Sequence, residues 1–199
     1  MSGHASVVAP RLLGSRLVSD SPDGRVSLII TEVEAYGGVG EDPGSHAFRG
    51  RTPRNATMFS EPGLLYVYFT YGMHWCANVV TGPAGEASAV LLRAGRIVDG
   101  HELALERRAS AKHTRDLARG PARLTVALGL TGEVDGVDLL DPASPVRIEM
   151  ARQPTPVHVT GPRTGVGGPG ADTPWRLATD DPTVSPYRAA TPRMRRKTP

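Results

Sequence analysis

The chain has 199 residues, a length that suits a single domain able to bury a sizeable core. Its formal net charge of +3 permits a nucleic-acid partner without requiring one. A single cysteine, Cys76, excludes an intramolecular disulfide, and no run approaches the roughly 20 apolar residues of a membrane span, so a reducing, cytosolic setting is expected.

In chain order, residues 1–9 read as a loose start, and Pro10-Arg-Leu-Leu-Gly-Ser-Arg-Leu-Val18 as a short helix running into a strand. Ser21-Pro-Asp-Gly24 is a turn by composition. Residues 25–35 are strand-like, and alternation places Val26, Leu28, Ile30, Glu32 and Glu34 on one side. Two acids then continue an apolar face, which is costly unless they are paired or employed. Residues 37–63 are rich in Gly, Pro, Ser and Arg and carry few signals of helix or strand. A loop of that length is uncommon unless it has a function.

Residues 64–80 read as a β-hairpin with its tip at Tyr71-Gly72-Met73. Alternation predicts Leu65, Val67 and Phe69 in the core and Tyr66, Tyr68 and Thr70 on the other face, as a wall that can hold a ring. A third strand is expected over residues 87–94, with Arg93 as a charge at its end. Residues 102–111 have helical composition, and residues 120–129 read as a compact helix opened by Pro121 and closed by Gly129. Residues 146–150 and 157–160 are short strands, residues 161–172 a glycine-rich loop punctuated by Pro174-Trp-Arg176, and residues 189–199 a disordered tail. There is no internal repeat and no linker. The whole reads as one mixed α/β domain, α+β-like, without the regular βαβ alternation of a doubly wound sheet.

Several kinds of chemistry are excluded by spacing. His46, His74 and Cys76 are the only close set of soft ligands and match no zinc pattern, so no metal is expected. Gly165-Val-Gly-Gly-Pro-Gly170 has a proline and no following Lys-Ser/Thr, so it is not a phosphate loop. Cys76 reads as a small buried hydrophobe within a strand. Glu32 and Glu34 allow two readings: acids paired with arginines, or a general base in an aromatic pocket. Eight of the ten aromatic residues lie between Tyr36 and Trp75, and Arg49, Arg51 and Arg54 stand together with no acid between them. Aromatics, a carboxylate and basic loops in one stretch describe a site for a base held out of a duplex.

Thr31-Glu-Val-Glu-Ala-Tyr36, Ser45-His46, Arg51-Thr-Pro-Arg-Asn55, Leu65-Tyr-Val-Tyr68 with Tyr71-Gly-Met73, Asn78 and Leu91-Leu-Arg-Ala94 resemble consecutive motifs of the 3-methyladenine (alkyladenine) DNA glycosylase family. Gly120-Pro-Ala-Arg-Leu124, Pro162-Arg-Thr-Gly165 and Pro174-Trp-Arg176 are similar to its weaker later motifs. The resemblance implies a single domain with a curved antiparallel sheet, flanking helices and a protruding β-hairpin. It implies that Glu34 activates water for attack on the sugar, with Arg93 supporting it. Tyr36, His46 and Tyr68 would hold the flipped base, and Asn78 would crowd the exocyclic amine of guanine. Tyr71 would fill the gap in the duplex, with Met73 beside it. Thr164 departs from the pattern, since an aliphatic residue is usual there.

On that basis the expected partner is double-stranded DNA carrying a damaged purine, with no cofactor and a monomeric enzyme. Arg49, Arg51 and Arg54 are the candidate phosphate contacts. The basic residues are twenty-one arginines and only two lysines, Lys112 and Lys197, neither in the expected pocket. Strand cleavage through a Schiff base needs an amine, so a monofunctional enzyme is expected. Two other classes compete: a non-catalytic binder of damaged DNA or RNA, which would gain nothing from Glu34, and a small-molecule hydrolase, which would not need an exposed Tyr71.

Overall fold

The spine of the molecule is a thirteen-residue strand, β2 (Gly24–Tyr36), whose Val, Ile, Leu and Thr content suits a pleated and buried position. The computed structural model describes residues 1–190. One edge of β2 pairs with β5 (Ala89–Asp99) over nearly its full length. The opposite edge is shared: β1 (Arg16–Ser21) takes the first half and the short β8 (Arg176–Ala178) the second. Outward from β5 come β4 (His74–Val80) and β3 (Leu65–Thr70), and outward from β1 comes β6 (Val146–Glu149). A further short strand, β7 (Val159–Gly161), pairs with β8. All of these pairings are antiparallel, and two strands meeting one edge of β2 at different heights go with a strongly curled sheet.

Register shifts against β5 between Ile30 and Glu32 and between Glu32 and Val33 change the alternation expected for β2. Val26, Leu28 and Ile30 lie in the core, and beyond the bulge the core residues are Val33 and Ala35. Glu32 and Glu34 therefore do not extend the apolar face. The extra residue turns them to the opposite side, where they can be served by polar partners without opening the core.

Three helices flank the sheet. The first, α1 (Ala5–Leu12), occupies the stretch expected to be loose. Ala5, Val8, Ala9 and Leu12 are buried at helical spacing, a stronger signal than the proline that suggested a later start. Pro10 instead lies near the end of this helix. Of the other two, α3 (Pro121–Leu128) falls where composition placed it and is closed by Gly129 in the left-handed conformation, whereas α2 (His101–Arg107) starts as expected but stops short of residue 111. Within the long loop, residues Pro53–Phe59 form a 3-10 helix that buries Asn55 and Met58, so this stretch is more ordered than its composition suggested. Strand β5 runs five residues past the expected end, which puts Arg93 in mid-strand rather than at a terminus. Arg176, read with Pro174 and Trp175 as punctuation, opens strand β8 (Arg176–Ala178). The expected disordered tail falls almost entirely on residues 191–199, which lie outside the described residues.

Because Leu12 is fully buried against the sheet, Leu12→Ala is expected to destabilise the protein by about 2–5 kcal/mol. Urea denaturation would measure it, and a loss below about 0.5 kcal/mol would contradict the helix's place in the core.

Candidate active site

The hairpin register pairs Tyr66 with Asn78 and Tyr68 with Cys76, and alternation then divides its two faces. Leu65 and Val67 enter the main core, while Tyr66 and Tyr68 face a cavity of about 240 Å³. Phe69 differs from expectation. It is exposed and packs on Trp75, with ring centroids 4.8 Å apart, because the hairpin has by then left the body of the protein. Cys76 is buried as expected, but on the cavity side.

The cavity collects most of the residues singled out from sequence: Tyr36, His46, Tyr68, Tyr71, Asn78 and Arg93 all line it. His46 stands edge-on to Tyr68, with ring centroids 4.5 Å apart at 80°. Its backbone carbonyl accepts from Asn55 Nδ2 at 2.9 Å, so the buried asparagine of the 3-10 helix holds the histidine's loop against the cavity. Although the residue as a whole is exposed, desolvation of its ring and the nearby Arg54 lower the His46 pKa, which favours a neutral imidazole. Asn78 donates from Nδ2 to the Tyr66 carbonyl at 3.1 Å, which orients its amide within the wall.

Below the cavity floor lies a buried charge network. Glu32 Oε1 accepts from Arg93 Nε at 3.0 Å and from Arg176 Nε at 2.7 Å, and its Oε2 accepts from the Ser185 amide at 2.7 Å. Glu34 Oε2 accepts from Arg93 Nη1 at 3.2 Å and from the Tyr36 hydroxyl at 3.0 Å, and its Oε1 accepts from the Thr164 amide at 2.6 Å. Both acids are fully buried. Burial is the largest influence on each and pushes each pKa upward, with opposite outcomes. At Glu32 the Arg93, Ser185 and Arg176 partners override it and the pKa falls below the ordinary glutamate value. At Glu34 burial prevails over Arg93, Thr164 and Tyr36, and the pKa rises. Both acids are thus paired with arginine but differ in the direction of their shift: Glu32 holds its proton more weakly than usual and Glu34 more tightly, the direction that suits a general base.

Glu34 does not itself line the cavity. Tyr36, Arg93 and Thr164, the residues that hold it, form the wall in front of it. Three donors occupy three of the roughly four acceptor positions of a carboxylate, leaving one open.

At the hairpin tip, Tyr71 has φ 53° and Gly72 φ 67°, and the Met73 amide donates to the Thr70 carbonyl at 3.2 Å. Positive φ at both central positions suits Asn-Gly, and a tyrosine there costs on the order of 1–2 kcal/mol. The ring is 87% exposed and Met73 is exposed beside it, so local stability is set aside twice at this tip. Arg49 and Arg51 are exposed. Arg54 is exposed as well, but it donates from Nη2 to the Phe69 carbonyl at 2.9 Å and lies 5.5 Å from the Tyr68 ring centroid, so it also braces the hairpin.

The model of one protein family, methylpurine-DNA glycosylase, matches residues 1–183. The chain belongs to that family. A relative in Streptomyces avermitilis is 56% identical, covering 95% of this chain and 90% of its own. One in Leifsonia xyli is 58% identical over 91% and 87%, and one in Mycobacterium tuberculosis 46% identical over 94% of each. All three are named for 3-methyladenine DNA glycosylase activity. As a methylpurine-DNA glycosylase the chain is a DNA N-glycosylase, a hydrolase of the bond between base and sugar. Among the described residues there is no group of three or more His, Cys, Asp or Glu that could hold a metal, and no helix long and apolar enough to cross a membrane.

Sequence reasoning gave no role to five participants, although Arg163, Thr164 and Arg176 stand in motifs quoted above. Ser185 and Arg176 anchor Glu32, the Thr164 amide holds Glu34, and Arg163 is fully buried with Asp42. A fully buried arginine in a glycine-rich loop leaves no composition signal, because its partner is distant in the chain. Removing the charge at Glu32 would leave Arg176 buried without its anion and Arg93 with Glu34 alone. Glu32→Gln is therefore expected to cost about 3–5 kcal/mol at neutral pH, measurable by urea denaturation. Since the Glu32 pKa is lowered by folding, its contribution is full above the ordinary glutamate range and fades only as the pH falls through its lowered value.

Proposed function

We propose that this methylpurine-DNA glycosylase turns an alkylated purine nucleotide, 3-methyladenine foremost, out of duplex DNA into the cavity, and that Glu34 activates a water to hydrolyse its N-glycosidic bond. The observation that carries this reading is the buried carboxylate of Glu34, held directly behind the wall of an aromatic-lined cavity. Its one open acceptor position suits a water. An anion there also favours the positive charge that develops on the sugar as the bond breaks. Arg93 orients the carboxylate from the floor, itself aimed by Glu32.

Tyr36, Tyr68 and His46 receive the base. Stacking worth roughly 1–3 kcal/mol per base offsets much of the few kcal/mol that unpairing costs. A cationic alkylated purine departs without a strong acid. Neutral purines such as hypoxanthine or ethenoadenine need hydrogen bonds to the leaving ring, which His46 on the cavity wall would supply. Asn78 crowds an exocyclic amine and so disfavours guanine. Tyr71 enters the gap left in the duplex with Met73 alongside, and Arg49, Arg51 and Arg54 contact phosphates. Among the described residues no lysine lines the cavity, which supports a monofunctional enzyme that leaves the abasic strand intact.

Incubating the protein with methylated duplex DNA is expected to release 3-methyladenine, and Glu34→Gln to lose about 100-fold or more in rate. Release by the parent should decline as the pH falls toward the raised Glu34 pKa, at a higher pH than an exposed glutamate would give. If borohydride trapped a covalent DNA adduct, the monofunctional assignment would be wrong. Replacing the strained Tyr71 with glycine is expected to raise the melting temperature slightly while weakening duplex binding by about tenfold; binding unchanged in a fluorescence titration would remove the wedge.

A further inference from the structure

Arg163 has no part in the chemistry assigned above, yet its side chain is fully buried. Its fork meets Asp42 through Nη1 at 2.6 Å and Nη2 at 2.7 Å, and Nη1 also donates to the Ala35 carbonyl at 3.0 Å. The guanidinium lies over two rings, 4.6 Å from the centroid of Tyr36 and 5.2 Å from that of Trp175. Asp42 in turn accepts from the amides of Gly37 and Gly44, both at 3.0 Å, so it folds its own loop as well as holding the arginine. That loop presses closely: a Cβ on Gly44 would lie 2.8 Å from Arg163 Nη2.

A buried ion pair is weak evidence for stability, because an apolar pair of similar volume often serves as well. What distinguishes this one is its position. Arg163 immediately precedes Thr164, whose amide holds Glu34 Oε1, and its guanidinium backs the ring of Tyr36, whose hydroxyl holds Glu34 Oε2. Two of the three donors on Glu34 therefore rest on one side chain. The third, Arg93, is aimed independently by Glu32.

We propose that the Arg163–Asp42 pair is the positioning device for Glu34, fixing the Tyr36 ring and the Thr164 amide so that the carboxylate is held with its open acceptor position toward the cavity. This rests on the reading of Glu34 as the activating base. Arg163 and Asp42 are positioning residues, with no contact to the reacting atoms. The planar fork is required: lysine keeps the charge but cannot grip both carboxylate oxygens and lie flat on a ring at once.

The charged and titratable groups around Glu34 are Glu32 and Tyr36 on β2, Arg93 on β5, Arg176 on β8, Cys76 on β4, and Arg163 beside the Thr164 amide. Asp42→Asn disturbs only the last of these and Tyr36. The test follows release of 3-methyladenine from methylated duplex DNA by the full chain, with single-turnover rates, half-saturating DNA concentration, a pH profile and a thermal melt. Asp42→Asn is expected to lower the rate by roughly tenfold to a hundredfold while half-saturation stays within about twofold. The acid limb of its profile should move to higher pH, because a carboxylate that loses donors holds its proton more tightly. If Asp42→Asn does not fold, Arg163→Lys carries the same expectation. A lower melting temperature with rate and acid limb unchanged would reduce the pair to a structural role and overturn the proposal. Glu34→Gln as active as the parent would instead overturn the base assignment, and the positioning role with it.

Discussion

Four buried charges, Glu32, Glu34, Arg93 and Arg176, form the interaction on which the rest of the structure depends. They sum to zero, which is the condition for placing them in a protein interior at all. Within that neutrality the distribution is uneven: Glu32 takes two arginines and an amide, and Glu34 is left with a share of one arginine and two neutral donors. One carboxylate is thereby fully engaged by charged partners, and its neighbour two residues away keeps an open acceptor position and a raised proton affinity. The bulge in β2 makes this possible, because it turns both acids off the apolar face while Val33 and Ala35 keep the core closed.

Around that centre, rigidity and strain are kept apart. The cavity wall is built on paired strands and on loops pinned by buried side chains, Asn55 under His46 and Asp42 with Arg163. Among the described residues, the one non-glycine residue in a left-handed conformation is Tyr71 at the hairpin tip, where glycine or asparagine would sit more easily. Such a separation keeps the shape of the cavity fixed while the strained tip stays exposed to solvent.

Much of this was legible in the sequence where the governing interaction was local. The alternation of residues 65–70 fixed which tyrosines face the cavity, and the Pro121 to Gly129 frame fixed a helix. Glu32 and Glu34 stood out because they broke a local rule. What could not be read depended on distant partners. Alternation gives no hint of a bulge, so the face of Glu34 was misplaced. Arg163 and Asp42 are 121 positions apart, and Glu34 and Thr164 are 130 apart. The ordered N-terminal helix was legible in the spacing of Ala5, Val8, Ala9 and Leu12, and the proline obscured it.

The sequence separation of these contacts also has a temporal meaning. The aromatic walls, β2 and Arg93 all lie within the first hundred residues, whereas Thr164, Arg176 and Ser185 arrive only near the end of the chain. As the chain emerges from the ribosome from its amino end, the long-range pairings close last. A chain that has not reached residue 164 lacks the amide that holds Glu34 Oε1, and it lacks the Arg176 and Ser185 partners of Glu32. Both carboxylates are therefore seated only once β8 and the segment around it have closed on β2.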